Sequence, residues 1–313
     1  MLGTPSMEPL KPTICDSSSG KKIKPDQEFL SEKAAVKEQL SAEEMEKILE
    51  TREVIKEMAL DGGANKSVCI RLKDDGDAIF KPKSGEKIKL RSGIEAGSYF
   101  QRERAAYLVS KYMGFDFVPP TVIREVGNEI GSSQEFIADA QLYTERVKQI
   151  SFALDFDYDV ADEYLYSQME GQFIKLWVYD IVIFNSDRHG NNFLIKDNKI
   201  VPIDHGLSMG DSGLKTYYSC YDEPIPADVQ DLLEKFSEST ERQSQLKQEL
   251  LEILPEELVA KCFARIDKVT RIIMDKGCIP AEEEEKIDPF DISEPSGFDE
   301  LFDLDSSDRG SIY

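Results

Sequence analysis

The chain has 313 residues and a formal charge of −23, from 38 basic and 61 acidic side chains with both histidines neutral. That balance disfavours a general binder of nucleic acid or of anionic membrane, since both are negative surfaces. Apolar residues make up 40%, enough for a sizeable core, and no run approaches the ~20 apolar residues of a membrane span. The first twenty residues lack the charged start and apolar stretch of a secretory leader. The five scattered cysteines (Cys15, Cys69, Cys220, Cys262 and Cys278) form no CxxC. They read as reduced thiols of a cytoplasmic protein, not as a zinc or disulfide framework.

Residues 1–27, with Pro5, Pro9, Pro12, Pro25 and Ser17–Gly20, read as a disordered segment. A helical extension is expected over 28–60. Its first helix runs from Phe29 to Leu40. The second starts at Ser41, with Glu44 three positions on as a capping box. Met45, Ile48, Leu49, Ile55 and Met58 then recur at helical spacing up to Gly62-Gly63. From 61 to 136 the texture is that of a small α+β unit. Ser67–Leu72 and Ala78–Lys81 predict a hairpin around the turn Asp74–Asp77. A helix follows from about Ser98 to Tyr112, stopped by Gly114. Val118–Arg124 and Ser132–Ile137 read as extended. Residues 137–280 are mostly helical, with an apolar helix Tyr164–Phe184 and helices near 226–236, 240–253 and 255–276. Phe193–Lys196, Asp197-Asn198 and Lys199–Ile203 form a tight hairpin within them. Residues 281–313 hold twelve acids and two bases and read as a disordered tail with a capacity to dock a partner.

Chemistry concentrates in Asn185-Ser-Asp-Arg-His-Gly-Asn-Asn192 and Ile203-Asp-His-Gly206, which contain both histidines of the chain. Asp187 precedes Asn192 by five residues, and Asp204 follows Asn192 by twelve, across one hairpin. Asn and Asp oxygens are hard ligands suited to a Mg²⁺ that carries a nucleoside triphosphate. An Asp five residues before a metal-binding Asn is the spacing of a kinase catalytic loop. The other reading is a set of turn-capping residues. Lys81 closes a strand, and Glu103 lies 22 residues on in a helix, the pairing by which kinases fix phosphates. Lys83 competes with Lys81 for that role, and five bases with one acid (Glu86) make 81–91 a local reversal of charge. Asp61-Gly-Gly-Ala-Asn-Lys-Ser67 is not a Walker A sequence. Its backbone amides, at Gly63 and Ser67 among others, would cover phosphates, or Gly62-Gly63 simply stops a helix. Glu135, Phe136 and Ile137 fall where two lobes would join, and their backbone would receive an adenine. A plain edge strand is the alternative.

Phe80-Lys-Pro-Lys83, Asp187-Arg-His-Gly-Asn-Asn192 and Ile203-Asp-His-Gly-Leu207 resemble the phosphatidylinositol 3-/4-kinase superfamily. Glu103–Val109 and Phe117–Val122 are similar to its bacterial branch near the type II phosphatidylinositol 4-kinases. HipA-like kinases share the layout more distantly. The likeness covers about residues 60–225. It implies an α+β, two-lobed protein-kinase-like fold, with a small β-rich N-lobe, a larger helical C-lobe and ATP in the cleft. It also implies that Lys81 holds ATP phosphates and Glu103 orients Lys81. Asp187 would accept or position an acceptor hydroxyl, and Asn192 and Asp204 would ligate Mg²⁺. His189 is either a base or a structural member of the loop. His205 stands where protein kinases carry the Phe of Asp-Phe-Gly. The implied function is an ATP- and Mg²⁺-dependent kinase acting on a protein hydroxyl or an inositol lipid. The alternatives are a nucleotide-binding pseudokinase or interaction protein, or a bacterial effector delivered into a host cell that uses the fold for another nucleotide-dependent transfer.

Overall fold

The computed structural model describes residues 40–60, 65–74, 76–87, 94–185, 187–210 and 220–281. All lie in one compact unit, Lys37–Tyr313. The expected N-terminal loop, the Phe29–Leu40 helix, Gly62-Gly63 and most of the acidic tail fall outside the described residues.

Helix α1 spans Ala42–Thr51, and its capping box forms as expected: Ser41 accepts from Glu44 N, and Glu44 accepts from Ser41 N. It does not continue through Ile55 and Met58. The guanidinium of Arg124 donates to the carbonyls of Leu49 (2.6 Å) and Arg52 (2.9 Å), which closes the helix. Val54–Leu60 is strand β1 instead. Ile55, which fitted helical spacing, is 54% exposed.

β1 pairs antiparallel with β2 (Ser67–Leu72), and β2 with β3 (Gly76–Pro82). Helix α2 (Tyr99–Met113) follows and ends at Gly114, whose φ of 83° is the left-handed stop that glycine takes without strain. β4 (Thr121–Val126) and β5 (Glu129–Glu135) complete a five-stranded sheet of order β1-β2-β3-β5-β4. β5 lies against β3 in the register Lys81↔Ser132 and Pro82↔Gly131. A Cβ at Gly131 would run into the Lys81 carbonyl oxygen, so that close approach needs glycine. The core of this lobe gathers Val68, Ile70, Leu72, Ala78 and Phe80 with Val122, Val126 and, from α1, Leu49.

The helical lobe begins with the short strand β6 (Gln141–Leu142) and helices α3 (Tyr143–Leu154) and α4 (Tyr158–Val182). β7 (Phe193–Lys196) and β8 (Lys199–Pro202) form the expected hairpin, with β6 added at the β7 edge. Helices α5 (Ala227–Glu238), α6 (Thr240–Leu251) and α7 (Glu256–Lys276) complete it. The largest core cluster runs from the buried face of α2, through Tyr179 and Ile181 of α4, to Val259, Cys262 and Ile266 of α7. α2 is therefore anchored in the helical lobe while it flanks the sheet. This is the α+β, two-lobed arrangement that the sequence implies.

Candidate functional site

Lys81 sits near the C-terminal end of β3. Its Nζ donates to Glu103 Oε1 of α2 and to Asp204 Oδ1 (2.8 Å). Three residues separated by 22 and 123 positions thus meet at one ammonium. Burial alone would lower the Lys81 pKa, but the charges of Asp204 and Glu103 outweigh it and hold the ammonium above its ordinary value. Asp204 is pulled below the usual carboxylate range by Lys81, against a smaller effect of burial. Glu103, its side chain 3% exposed, is pushed up by burial despite Lys81. Its second oxygen accepts from the His205 backbone N–H (3.0 Å), so α2 also holds the Asp204–Gly206 turn, where Asp204 takes a φ of 60°. The His205 ring is fully buried edge-on against Tyr179, with centroids 6.0 Å apart, and burial drives its pKa well below the ordinary value.

Asp187 and Asn192 lie on the loop between α4 and β7. Asn192 Nδ2 donates to the Asp187 carbonyl (2.6 Å) and to Asp187 Oδ2 (3.3 Å). That orientation turns the amide oxygen of Asn192 away from Asp187. Burial raises the Asp187 pKa, with Asp204 adding to the rise and His189 opposing it. The loop is braced by Arg188. Its guanidinium makes a two-pronged pair with Asp180 of α4 (2.8 Å each) and donates to the carbonyls of Asn192 and Ile203 (3.0 Å to the latter). Ile203 N donates to the Asn192 carbonyl (3.0 Å), which fixes Asp204 beside Asn192 across the hairpin. His189 is exposed, and its Nδ1 accepts from Asn191 N (3.3 Å).

The remaining expected residues lie on the sheet or beyond the described part. Ser67 opens β2, at the same end of the sheet as Lys81, because Val68 pairs with Phe80. Glu135 pairs with Ala78, three register positions from the Lys81–Ser132 pair. Phe136 follows it, with its N–H directed to the Asp77 carbonyl (3.3 Å), and then Ile137. Gly63 is not among the described residues. Lys83 places its Nζ 6.0 Å from the Phe100 ring centroid.

Two supporting groups escape a reading by motif. Glu86 accepts from the N–H groups of Gly97, Tyr99 (3.0 Å) and Phe100 (2.9 Å), so its carboxylate caps the N-terminus of the helix that carries Glu103. Its signal was its isolation, as the single acid among the bases of 81–91. Asp180 is fully buried and also accepts from Asn185 (3.0 Å). An acid within the apolar run Val178–Val182 was the available sign.

The arrangement can ligate a divalent cation. Asn192 has an amide oxygen directed away from Asp187, and the Asp204 carboxylate is half exposed beside it. Among the described residues no cluster of three His, Cys, Asp or Glu side chains forms a metal cage.

The phosphatidylinositol 3- and 4-kinase family pattern matches residues 70–260. Phosphatidylinositol 4-kinase gamma 7 of Arabidopsis thaliana is 29% identical over 142 residues, which cover 41% of this chain and 22% of that protein. Phosphatidylinositol 4-kinase gamma 1 of the same plant is 27% identical over 180 residues, 52% of this chain and 30% of that protein. The chain thus spans less than a third of the length of these curated relatives. A crystal structure of the Golgi casein kinase with Mn and ADP bound matches with a TM-score of 0.54, over 77% of this chain and 78% of that one, at 16% identity. This is a likeness of fold.

Proposed function

Because the chain belongs to the phosphatidylinositol 3- and 4-kinase family, we propose that it is an ATP- and Mg²⁺-dependent phosphotransferase acting on a protein hydroxyl or an inositol lipid. The observation that carries this reading is the convergence of Lys81, Glu103 and Asp204 on one ammonium beside the Asp187–Asn192 pair. Lys81, held in place by Glu103, grips phosphate oxygens. The backbone at Ser67 covers them. The backbone at Glu135, Phe136 and Ile137, about 10 Å along the sheet by strand rise, receives the base. Asn192 and Asp204 would hold Mg²⁺, which neutralises phosphate charge during transfer.

Asp187 positions the acceptor hydroxyl and takes its proton as the oxygen attacks the γ-phosphorus and the bond to the ADP oxygen breaks. His189, exposed beside Asp187, opposes the rise that burial imposes on the pKa of that carboxylate. The net charge of −23 favours a protein acceptor over an anionic lipid surface. No helix among the described residues is long and apolar enough to cross a membrane.

Asp187→Ala and Asp204→Ala test the assignment. Each should lower ATP turnover by about 10²-fold or more, and Asp187→Ala should keep nucleotide binding. If both variants turned over ATP like the parent, the reading would be wrong.

A further inference from the structure

The corner between α3 and α4 carries an apolar surface that phosphoryl transfer does not use. Phe152 is 92% exposed, and Leu154, Tyr158, Val160 and Tyr164 are between 37% and 47% exposed. Single exposed apolar residues are ordinary, but these five fall within residues 152–164, a concentration at one corner that suits a contact surface. The corner is fixed in shape. Phe156 N donates to the Ser151 carbonyl (3.0 Å), Ser151 Oγ donates back to the Phe156 carbonyl (2.7 Å), and the Phe156 ring packs edge-on against Tyr164 at 6.2 Å. Partner binding there needs little ordering of the chain.

The charge around the patch selects the partner. Residues 149–172 hold six acids and no base, and Asp155, Asp157, Asp159 and Glu163 are exposed among the apolar side chains. Such a surface repels an anionic membrane and attracts a cationic segment. We propose that this corner docks a basic, apolar peptide segment of a partner protein. Its apolar side chains pack on Phe152, Leu154 and Val160, and its lysines or arginines face Asp155, Asp157, Asp159 and Glu163. The other end of α3 is tied to the catalytic loop, through Thr144 N to the Gly190 carbonyl (3.3 Å) and Thr144 Oγ1 to Asn191 Oδ1 (2.7 Å). From Leu154 to Thr144 the helix covers about 15 Å, so a docked segment lies within a few extended residues of Asp187.

The test reads binding, and so stands whether or not the chain transfers phosphate. A fluorescein-labelled peptide of alternating arginine and leucine is titrated with the full chain and followed by fluorescence polarisation. Phe152→Ala should weaken binding about tenfold. Asp157→Asn with Asp159→Asn should weaken it to a similar degree, the loss shrinking as salt is raised. An equal change of charge elsewhere, Glu238→Gln with Glu252→Gln, should leave it unaltered. All of these residues are exposed, so melting temperatures should not move. The proposal is overturned if the peptide fails to bind, or if the corner variants stay within about twofold of the parent. It is equally overturned if the distant pair weakens binding as much, or if phosphatidylcholine–phosphatidylserine vesicles are captured through Phe152.

Discussion

Glu46 offers the sharpest test of how the fold holds Glu103 in place. It lies on α1, outside the matched segment 70–260, yet it grips α2. Its Oε1 accepts from Tyr107 Oη (2.7 Å) and Lys111 Nζ (2.6 Å), and its Oε2 from Arg104 Nη1 (2.8 Å). Arg104 is the residue after Glu103. Removing one member of a buried ion pair costs about 3–5 kcal/mol. Here Arg104 keeps Glu249 (3.1 Å) and the Thr121 carbonyl (2.7 Å), and Lys111 keeps the exposed Glu43 at 3.6 Å. The low end applies, so Glu46→Ala should cost about 3 kcal/mol, roughly 6–10 °C of melting temperature for a domain of this size. Glu46→Gln keeps the shape and should cost about half of that.

The pH dependence has a definite sign. Burial raises the Glu46 pKa, but Lys111, Tyr107 and Arg104 together bring it below the ordinary 4.5. Its contribution is therefore present above 4.5 and is lost as pH falls through the folded value. The gap in stability between parent and Glu46→Gln should hold at neutral pH and close in acid. Calorimetry across that range measures both effects. A Glu46→Ala protein that melted within about 1 °C of the parent, or a gap that persisted in acid, would refute the reasoning. ATP turnover should fall in parallel, since a loosened α2 carries Glu103 away from Lys81.

Lys81→Met leaves Glu103 and Asp204 facing one another without a cation; ATP turnover should drop by about 10³-fold, and near-parental turnover would remove Lys81 from the site. Gly131→Ala should destabilise by about 2–3 kcal/mol, because the new methyl group meets the Lys81 carbonyl; an unchanged unfolding midpoint would mean that β5 does not approach β3 so closely. Burial pushes the Cys69 thiol up to about 11 and the Cys220 thiol up to about 12, and raises Cys262 as well. At neutral pH, alkylation followed by mass spectrometry should therefore label the partly exposed Cys278 well before those three; early labelling of Cys262 would contradict its buried position.

The elements legible in the sequence were those whose signal is local. The capping box at Ser41, the Asp197-Asn198 hairpin and the glycine stops at 114 and 277 each rest on residues within one or two turns of each other. The error at 54–60 arose because the end of α1 is set by Arg124, some seventy residues downstream, and no window around Thr51 contains that contact. β6 was missed for a related reason: two residues make it a strand only because β7 lies beside them. For the site, Asp187, Asn192 and Asp204 stood out by spacing. Glu86, Asp180 and Glu46 carry no motif. Each is an ordinary acid whose partners are backbone amides or basic groups brought in by tertiary packing.

The pairing of charges bears on how so acidic a chain would accommodate the polyanion of the proposed reaction. Among the described residues, Arg188 is taken up by Asp180 in a two-pronged pair, so it has little charge left to offer a ligand. Lys81 stands against Glu103, Asp204 and the nearby Asp187. A bare triphosphate entering this pocket would meet more negative charge than positive, at separations where each unit pair is worth about 4 kcal/mol at an effective dielectric of 20. On the proposed reading, a divalent cation held by Asn192 and Asp204 would reverse that balance and would leave Lys81 free to turn from Asp204 to phosphate. The excess of carboxylates at the site would thus favour a nucleotide that arrives with its metal over a bare polyphosphate. The helix that carries Glu103 to Lys81 is itself held by Glu46, so the ion pair at the site depends on contacts outside it.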